Sequence, residues 1–402
     1  MPRELWRTTF PGRNDDPPIL AGDRVAVGYV ADQGQGGSPG PAAAVCLDFG
    51  GRQLWSAHDF TPKAALPDGS LVGLDAAGSV RVLDPAGQPR PVPRDVSGLR
   101  VRKITRAGAH LHLETEAELL VTDPELTLTG RIVIPPIEPH TFRTFTGDGF
   151  AWVESDTLMM SDAAGAVRAV CTVPVELAEA AMDRFEEETG EAALGGWLKV
   201  ALTVDELKAD PSRLVDAIRD PRGQERLGRG DRFVDYIWNP GIDREEGVVF
   251  LSNVRSPHLV MCVGLDGAPR WCIYLDSGCC GSVPAALPNG SYVVSSGCGG
   301  ILSWITAAGY VLHRTDPPVA TDLAGAFDNR FHVLPDSSCV VSQGYGVVAY
   351  GPDARLLWSL PDAGSHFAYD ERRDVLFTSA WIEDDDRTRC IEVRACTDLL
   401  LG

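Results

Sequence analysis

The residues with the most reactive spacing are Cys279 and Cys280, adjacent within Asp276-Ser277-Gly278-Cys279-Cys280-Gly281, followed by Cys298 within Gly297-Cys298-Gly299-Gly300. Three thiolates converging on one point would suit a soft metal such as zinc or Cu(I). Two adjacent thiols could instead pair as a vicinal disulfide with a redox use. The spacing is not a paired C-x-x-C signature, and small thiols in a glycine-rich loop also serve as compact packing groups. Packing is the reading adopted, so neither a metal nor a cofactor is expected. A second set, His58, Asp59, Asp276 and His366, could do acid–base work at the mouth of a pocket. The chain has no H-E-x-x-H or Walker A string. Gly36-Gly37-Ser38-Pro39-Gly40 matches G-x-S-x-G, but a nucleophile elbow needs a strand-to-helix turn and this Gly/Pro loop leads into no helix. Glu383-Asp384-Asp385-Asp386 reads as a solvated turn. The candidate binding residues are therefore His58, Asp59, Asp276, Cys279, Cys280, Cys298 and His366, with no catalytic residue assigned.

What positions these residues is a repeat. Ala285-Ala286-Leu287-Pro288-Asn289-Gly290-Ser291-Tyr292-Val293-Val294 restates Ala64-Ala65-Leu66-Pro67-Asp68-Gly69-Ser70-Leu71-Val72. Short apolar runs alternate with turn residues at fixed offsets, the signal for antiparallel strands. In one copy the runs are Ser70–Leu74, Val80–Asp84 and Gln88–Val92, preceded by a strand before Pro67. The end of the third run recurs at Asp48, Asp84, Asp123, Asp162, Asp266, Thr306, Asp353 and Asp398. Intervals of roughly 35 to 50 residues with four strands each are the mark of propeller blades. The copies predict an all-β closed propeller of eight four-stranded blades, with seven as the alternative count. Leu5-Trp6 matches Leu54-Trp55 but lacks three preceding strands, and the last copy lacks a fourth. Leu5-Trp6 should therefore complete the blade of Cys390–Asp398, closing the ring and removing exposed edges.

Gly51-Arg52-Gln53-Leu54-Trp55, Gly267-Ala268-Pro269-Arg270-Trp271 and Asp353-Ala354-Arg355-Leu356-Leu357-Trp358 resemble the repeat of the PQQ-type (quinoprotein-like) β-propellers. The resemblance covers most of the chain outside one insertion and implies that each Trp packs between neighbouring blades. Quinoprotein dehydrogenases carry a vicinal cysteine pair at their cofactor site, a role the resemblance would extend to Cys279 and Cys280. Those enzymes are longer and exported, and their calcium ligands and catalytic Asp have no local motif here. PQQ-dependent catalysis is not expected, because a repeat type sets a fold and not an activity.

The insertion spans residues 174–228, between the fourth and fifth copies. Val175–Glu188 reads as a helix with Leu177, Ala180, Ala181 and Phe185 on one face. Thr203-Val204-Asp205-Glu206 fits a capping box, and Asp210-Pro211-Ser212 an N-cap with Pro at the first helical position. In a blade with strands a to d from inside to outside, the d-to-a connection and the b–c turn share one face. The insertion, His58-Asp59, the Asp276–Gly281 loop, Cys298 and the Gly/Pro loop 30–42 all fall on that face by topology. Loops on one face of a repeat array are where binding resides, so the insertion is expected to act as a lid there.

All 402 residues are assigned to one propeller domain carrying that insertion. The 36 Lys and Arg against 56 Asp and Glu give a net charge of −20, which disfavours nucleic acid and anionic membranes. No apolar run of about 18 residues exists, and Met1–Trp6 has no signal-type core, so the expectation is a cytoplasmic protein. Ten cysteines there are read as reduced thiols. The functional expectation is a non-catalytic scaffold binding a partner protein or small ligand on the lidded face. The rival is an enzyme at the channel mouth beneath the insertion, using the Cys279-Cys280 loop or a nearby His or Asp.

Overall fold

The computed structural model describes residues 2–12, 16–30, 41–107, 109–133, 144–146, 149–154, 157–161, 166–172, 175–190, 199–200, 224–225, 238–243, 248–253, 259–275, 284–295, 301–315, 331–343, 346–364, 366–383 and 389–399. Its strands fall into successive antiparallel four-stranded sheets. The first holds β2 (Ile19–Leu20), β3 (Arg24–Val30), β4 (Ala42–Asp48) and β5 (Gln53–His58). Next come β6 (Thr61–Ala65), β7 (Leu71–Leu74), β8 (Val80–Leu83) and β9 (Pro89–Arg90), then β10 (Lys103–Ala107), β11 (His110–Glu114), β12 (Glu118–Thr122) and β13 (Leu128–Val133). They are followed by β14 (Thr144–Thr146), β15 (Gly149–Glu154), β16 (Thr157–Ser161) and β17 (Val167–Thr172). Beyond the insertion stand β20 (Trp238–Asp243), β21 (Val248–Asn253), β22 (Leu259–Gly264) and β23 (Pro269–Tyr274). After them come β24 (Ala285–Ala286), β25 (Tyr292–Ser295), β26 (Leu302–Ile305) and β27 (Val311–Thr315), then β28 (Phe331–Val333), β29 (Cys339–Gln343), β30 (Gly346–Tyr350) and β31 (Leu356–Leu360). The last sheet is β32 (His366–Asp370), β33 (Val375–Glu383) and β34 (Arg389–Thr397), completed on its outer side by β1 (Arg3–Pro11). The N-terminal strand lies where the orphan Leu-Trp run predicted it, with Arg3 opposite Thr397 and Pro11 opposite Cys390.

This is a β-propeller. First strands of adjacent sheets touch one another, as β2 does with β6 and β32 and as β24 does with β28, so they form the inner wall. Neighbouring sheets pack face to face, and β7, β22, β25, β26, β29 and β30 are buried along their whole length. Val72 and Val82 meet Leu113 and Leu120, Val260 and Ile273 meet Val294 and Ile305, and Val340 and Trp358 meet Leu376 and Phe367. The last sheet returns to the first through Phe377, Ile391 and Val393 against Val25, Val27 and Val45. Closure lies in this packing and in the shared strand β1; every sheet is itself an open ribbon.

The turn from third to fourth strand explains the repeated Asp. Asp48 Oδ1 accepts from the backbone N–H of Gly50 and Arg52, and Asp84 Oδ1 from Ala86 and Gln88. The Arg52 N–H, first among these, holds the Asp48 carboxyl below the usual range. The fourth turn residue is left-handed at Gly51, Gly87, Leu126, Gly267, Gly309 and Ala354. A one-residue register shift follows within most of these hairpins, which gives a bulged turn.

The insertion differs from expectation. Helix α1 (Val175–Thr189) is present, but its buried face is Ala178, Ala181 and Met182, with Leu177 and Phe185 beside it, and Ala180 is exposed. Positions 178, 181, 182 and 185 follow the 3.6-residue period better than the predicted set. That face packs with Leu158, Leu259, Met261, Cys272 and Tyr274, and the Phe185 ring sits 4.7 Å from Tyr274. Because β23 is an outermost strand, α1 is a wedge in the core between two sheets. The insertion also holds a two-stranded ribbon, β18 (Lys199–Val200) and β19 (Gln224–Glu225), where only helices were expected. The two capping signals at 203–206 and 210–212, and any lid they build, lie outside the described residues.

Candidate functional site

The predicted face is tested by Asp59, in the connection from β5 to β6. Its backbone φ of 52° turns the chain sharply. Its Oδ1 accepts from Ala76 N–H at 2.8 Å, in the next sheet's second-to-third strand turn, and Oδ2 lies 3.6 Å from Arg81 Nη1. The d-to-a connection and the following b–c turn therefore do emerge at one end. The Oδ1 bond joins the two loops, while Oδ2 faces Arg81 on strand β8. His58 is exposed at the end of outermost strand β5, whereas half-buried His366 opens innermost strand β32. Three strand spacings of ~5 Å separate an outermost from an innermost strand, so the two imidazoles do not form one site. Asp276, Cys279, Cys280 and Cys298 lie outside the described residues.

Among the described cysteines, Cys46, Cys171, Cys272, Cys339 and Cys396 are free thiols. Burial pushes Cys46 and Cys339 up to about 12 and Cys396 up to about 11. A raised thiol pKa favours the protonated form in the fold. The stability it reflects is complete below the unfolded thiol value of about 8.5 and is lost as pH rises towards 11–12. At pH 8 these three thiols should react with Ellman's reagent far more slowly in native protein than in guanidinium, because the thiolate is the nucleophile. Their prompt labelling without denaturant would show that the sheets open readily.

The described cavity lies at the opposite end, among a–b and c–d turns. Its volume is about 390 Å³, and it is lined by Asn289, Gly290, Ser291, Trp304, Thr306, Ala307, Leu312, His313, Pro352, Asp353 and Ala354. Two sheets build it. The β24–β25 turn, β26 and β27 supply one wall, and the turn from β30 to β31 supplies the other. Most of its polar groups are already paired locally. Asn289 Oδ1 accepts from Ser291 N–H and Oγ–H, Thr306 Oγ1 accepts from Tyr310 N–H, and Asp353 Oδ1 accepts from Arg355 N–H. Trp304 is different: it is 2% exposed, and its Nε1–H has no acceptor among the described residues. Its ring is fixed edge-on to Tyr350 at 5.3 Å and to His313 at 6.0 Å. A buried donor left without an acceptor costs about 1–3 kcal/mol, and the Nε1 atom itself is closed to solvent.

The signal for this site was present in the sequence and was missed. Trp55, Trp271 and Trp358 each stand four residues after the left-handed turn residue, at Gly51, Gly267 and Ala354; four after Gly309 stands His313. In the register, Trp55 faces Cys46, Trp271 faces Cys262 and Trp358 faces Ala349, but His313 faces Trp304. Here the Trp stands on the third strand and not on the fourth.

No protein-family model and no curated protein matches the chain. Among solved structures it is similar to the computationally designed Ika8 protein, with a TM-score of 0.53 and 10% identity over 96% of this chain and 98% of that one. It is also similar to dihydro-heme d1 dehydrogenase NirN in complex with DHE, with a TM-score of 0.50 and 11% identity over 87% of this chain and 66% of that one. A streptogramin B lyase structure aligns at a TM-score of 0.47 and 9% identity, over 84% of this chain and 93% of that one. At these identities the likeness to Ika8 and NirN is one of fold, and the fold it supports is the β-propeller.

Proposed function

We propose that the chain is a non-catalytic β-propeller scaffold that binds a small ligand in the cavity between the β24–β27 and β28–β31 sheets. One observation carries this reading: a cavity of about 390 Å³, within the size range of ligand sites, opens between two sheets and is lined by Trp304, Leu312 and His313. The lining also holds the locally paired Asn289, Ser291, Thr306 and Asp353 and the His313 imidazole, a set suited to orienting a small ligand. The rival is an enzyme at the channel mouth using the Cys279-Cys280 loop or a nearby His or Asp; of these groups Asp59 has its Oδ1 bonded to Ala76 N–H and its Oδ2 3.6 Å from Arg81. A reducing compartment such as the cytoplasm agrees with the free thiols of the described cysteines. No helix among the described residues is long and apolar enough to cross a membrane.

The test is a fragment screen by thermal shift on wild-type protein and on His313→Trp, which fills the cavity from its mouth. Ligand at about 100 times its Kd should add ~2.7 kcal/mol of apparent stability. Fragments that stabilise wild type but not His313→Trp are the expected result. Equal stabilisation of both proteins, or of neither, would overturn the reading.

A further inference from the structure

The outermost strands differ from the rest of this acidic chain. β1, β9, β13, β17, β23 and β27 each carry arginine, and Arg52 and Arg355 stand one residue ahead of β5 and β31. Glu4 is the one carboxylate on these strands, in a chain whose net charge is −20. The large apolar side chains exposed among the described residues follow the same belt. Leu5, Leu54, Val133 and Val167 lie singly on β1, β5, β13 and β17. Tyr310, Val311, Leu312, Leu356 and Leu357 gather on or beside β27 and β31. Single exposed apolar residues are ordinary, whereas a gathered patch marks an interaction surface.

The sheets ending in β27 and β31 are neighbours that share one core, Leu302 and Trp304 with Val348 and Tyr350. β27 is exposed from Val311 to Arg314, because His313 stands where β23 and β31 bury Trp271 and Trp358. Its inner edge pairs with β26, Trp304 opposite His313 and Leu302 opposite Thr315. No strand among the described residues pairs with its outer edge. The backbone N–H and C=O groups along such an edge are a template for one more strand. Positive charge flanks the patch. Arg270 precedes Trp271, whose Nε1–H donates to Ala307 O in the turn that leads to Tyr310. Arg355 precedes Leu356. Both arginines are exposed, and neither has an ion-pair partner among the described residues. The turn carboxylates Asp266 and Asp353 accept from the N–H groups of Ala268 and Arg355 in their own turns.

We propose that β27 receives an extended segment of a partner protein as an added strand, a segment in which apolar and carboxylate side chains alternate. The edge of β27 supplies the backbone pairing, Val311 and Leu356 the apolar contact, and Arg270 and Arg355 the charge. A segment of this kind is repelled by the rest of a chain of net charge −20, which favours this arc over other edges. Nucleic acid or an anionic bilayer would meet the same repulsion over a larger area. Arg270, Val311, Arg355 and Leu356 do not line the cavity described above, so this surface and the small-ligand reading stand or fall separately.

The experiment follows the fluorescence anisotropy of a labelled peptide of about eight residues alternating Glu and Val, long enough to span β27. One counterpart has Lys in place of Glu, and another is N-methylated at every amide. The proteins are wild type, Arg270→Glu/Arg355→Glu, Val311→Ser/Leu356→Ser and the remote Val133→Ser. Circular dichroism and thermal melting check each fold. The proposal expects saturable binding of the Glu peptide to wild type at low salt, weakening as salt is raised. The Lys and N-methyl peptides should bind at least about tenfold more weakly, and each double variant should weaken the Glu peptide by about tenfold or more. Val133→Ser should bind it as wild type does. Absence of binding, equal binding of either counterpart, or wild-type binding by a folded double variant overturns the proposal. So does a phosphatidylserine–phosphatidylcholine vesicle or a single-stranded oligonucleotide that displaces the peptide and depends on Arg270 and Arg355, because the arc would then serve a membrane or a nucleic acid.

Discussion

Removal of residues 1–11 should leave a chain without a cooperative unfolding transition. Strand β1 is the last sheet's fourth strand, paired with β34 from Arg3–Thr397 to Pro11–Cys390. It also crosses the seam. Trp6 and Phe10 pack with Val25 and Leu47 of the first sheet, and Trp6 Nε1 donates to Phe49 O. The ends of the chain thus hold each other through a strand that belongs to one sheet and a side chain that docks on the next. Trp6 and Phe10 are partly buried, so each contributes a part of the about 1.5–3 kcal/mol of full burial, and the strand's hydrogen bonds add to this. A total stability of about 5–15 kcal/mol would not survive the loss with a margin. The exposed edge of β34 would also invite pairing between molecules. The measurement is urea unfolding of full-length and truncated chains, with peptide 1–11 added back in trans. The truncated chain should aggregate or melt gradually, and the peptide should restore a sharp transition. An unchanged midpoint would show that β1 adds little to closure.

The fold was legible because the repeat writes one physical rule many times. Asp48, Asp84 and Asp123 each accept from backbone N–H groups of their own turn, a left-handed residue follows each by three positions, and the apolar runs between them have nowhere to go but into a sheet. The orphan Leu5-Trp6 was legible for the same reason, since an incomplete copy at each end implies one shared copy. Helix α1 was legible as a helix, but its buried face was turned by the neighbours it meets, and Met182 rather than Ala180 faces Tyr274's sheet. The cavity needed a comparison the repeat itself offers: His313 stands where Trp55, Trp271 and Trp358 stand in their copies. Reading function from loop length and reactive residue types drew attention to the opposite face. There Asp59, picked as a candidate base, turns out to tie two loops together. Convergence of Trp304 with Pro352 comes from separate sheets, and no local spacing encodes it.

Trp271→Ala should lower stability by about 3–5 kcal/mol, the range for truncating a large buried aromatic side chain. The side chain is 7% exposed and packs with Ile273, Tyr292 and Ile305, its ring 6.5 Å from that of Tyr292. Its N–H donates to Ala307 O at 2.9 Å, so truncation also strips a partner from a turn carbonyl. Trp55→Ala should cost less, because Trp55 is half-buried and only part of its area is lost to water. Gly309→Ala probes the same contact from the other side. The added Cβ would fall 2.6 Å from the Trp271 ring on a backbone at φ 83°, so both strain and collision oppose it. In the Trp271→Ala background the collision disappears and only the strain is left, so the two substitutions should be less than additive. Urea midpoints for the two single variants and the double variant test this directly. Full additivity would mean that Trp271 does not rest on the Gly309 turn.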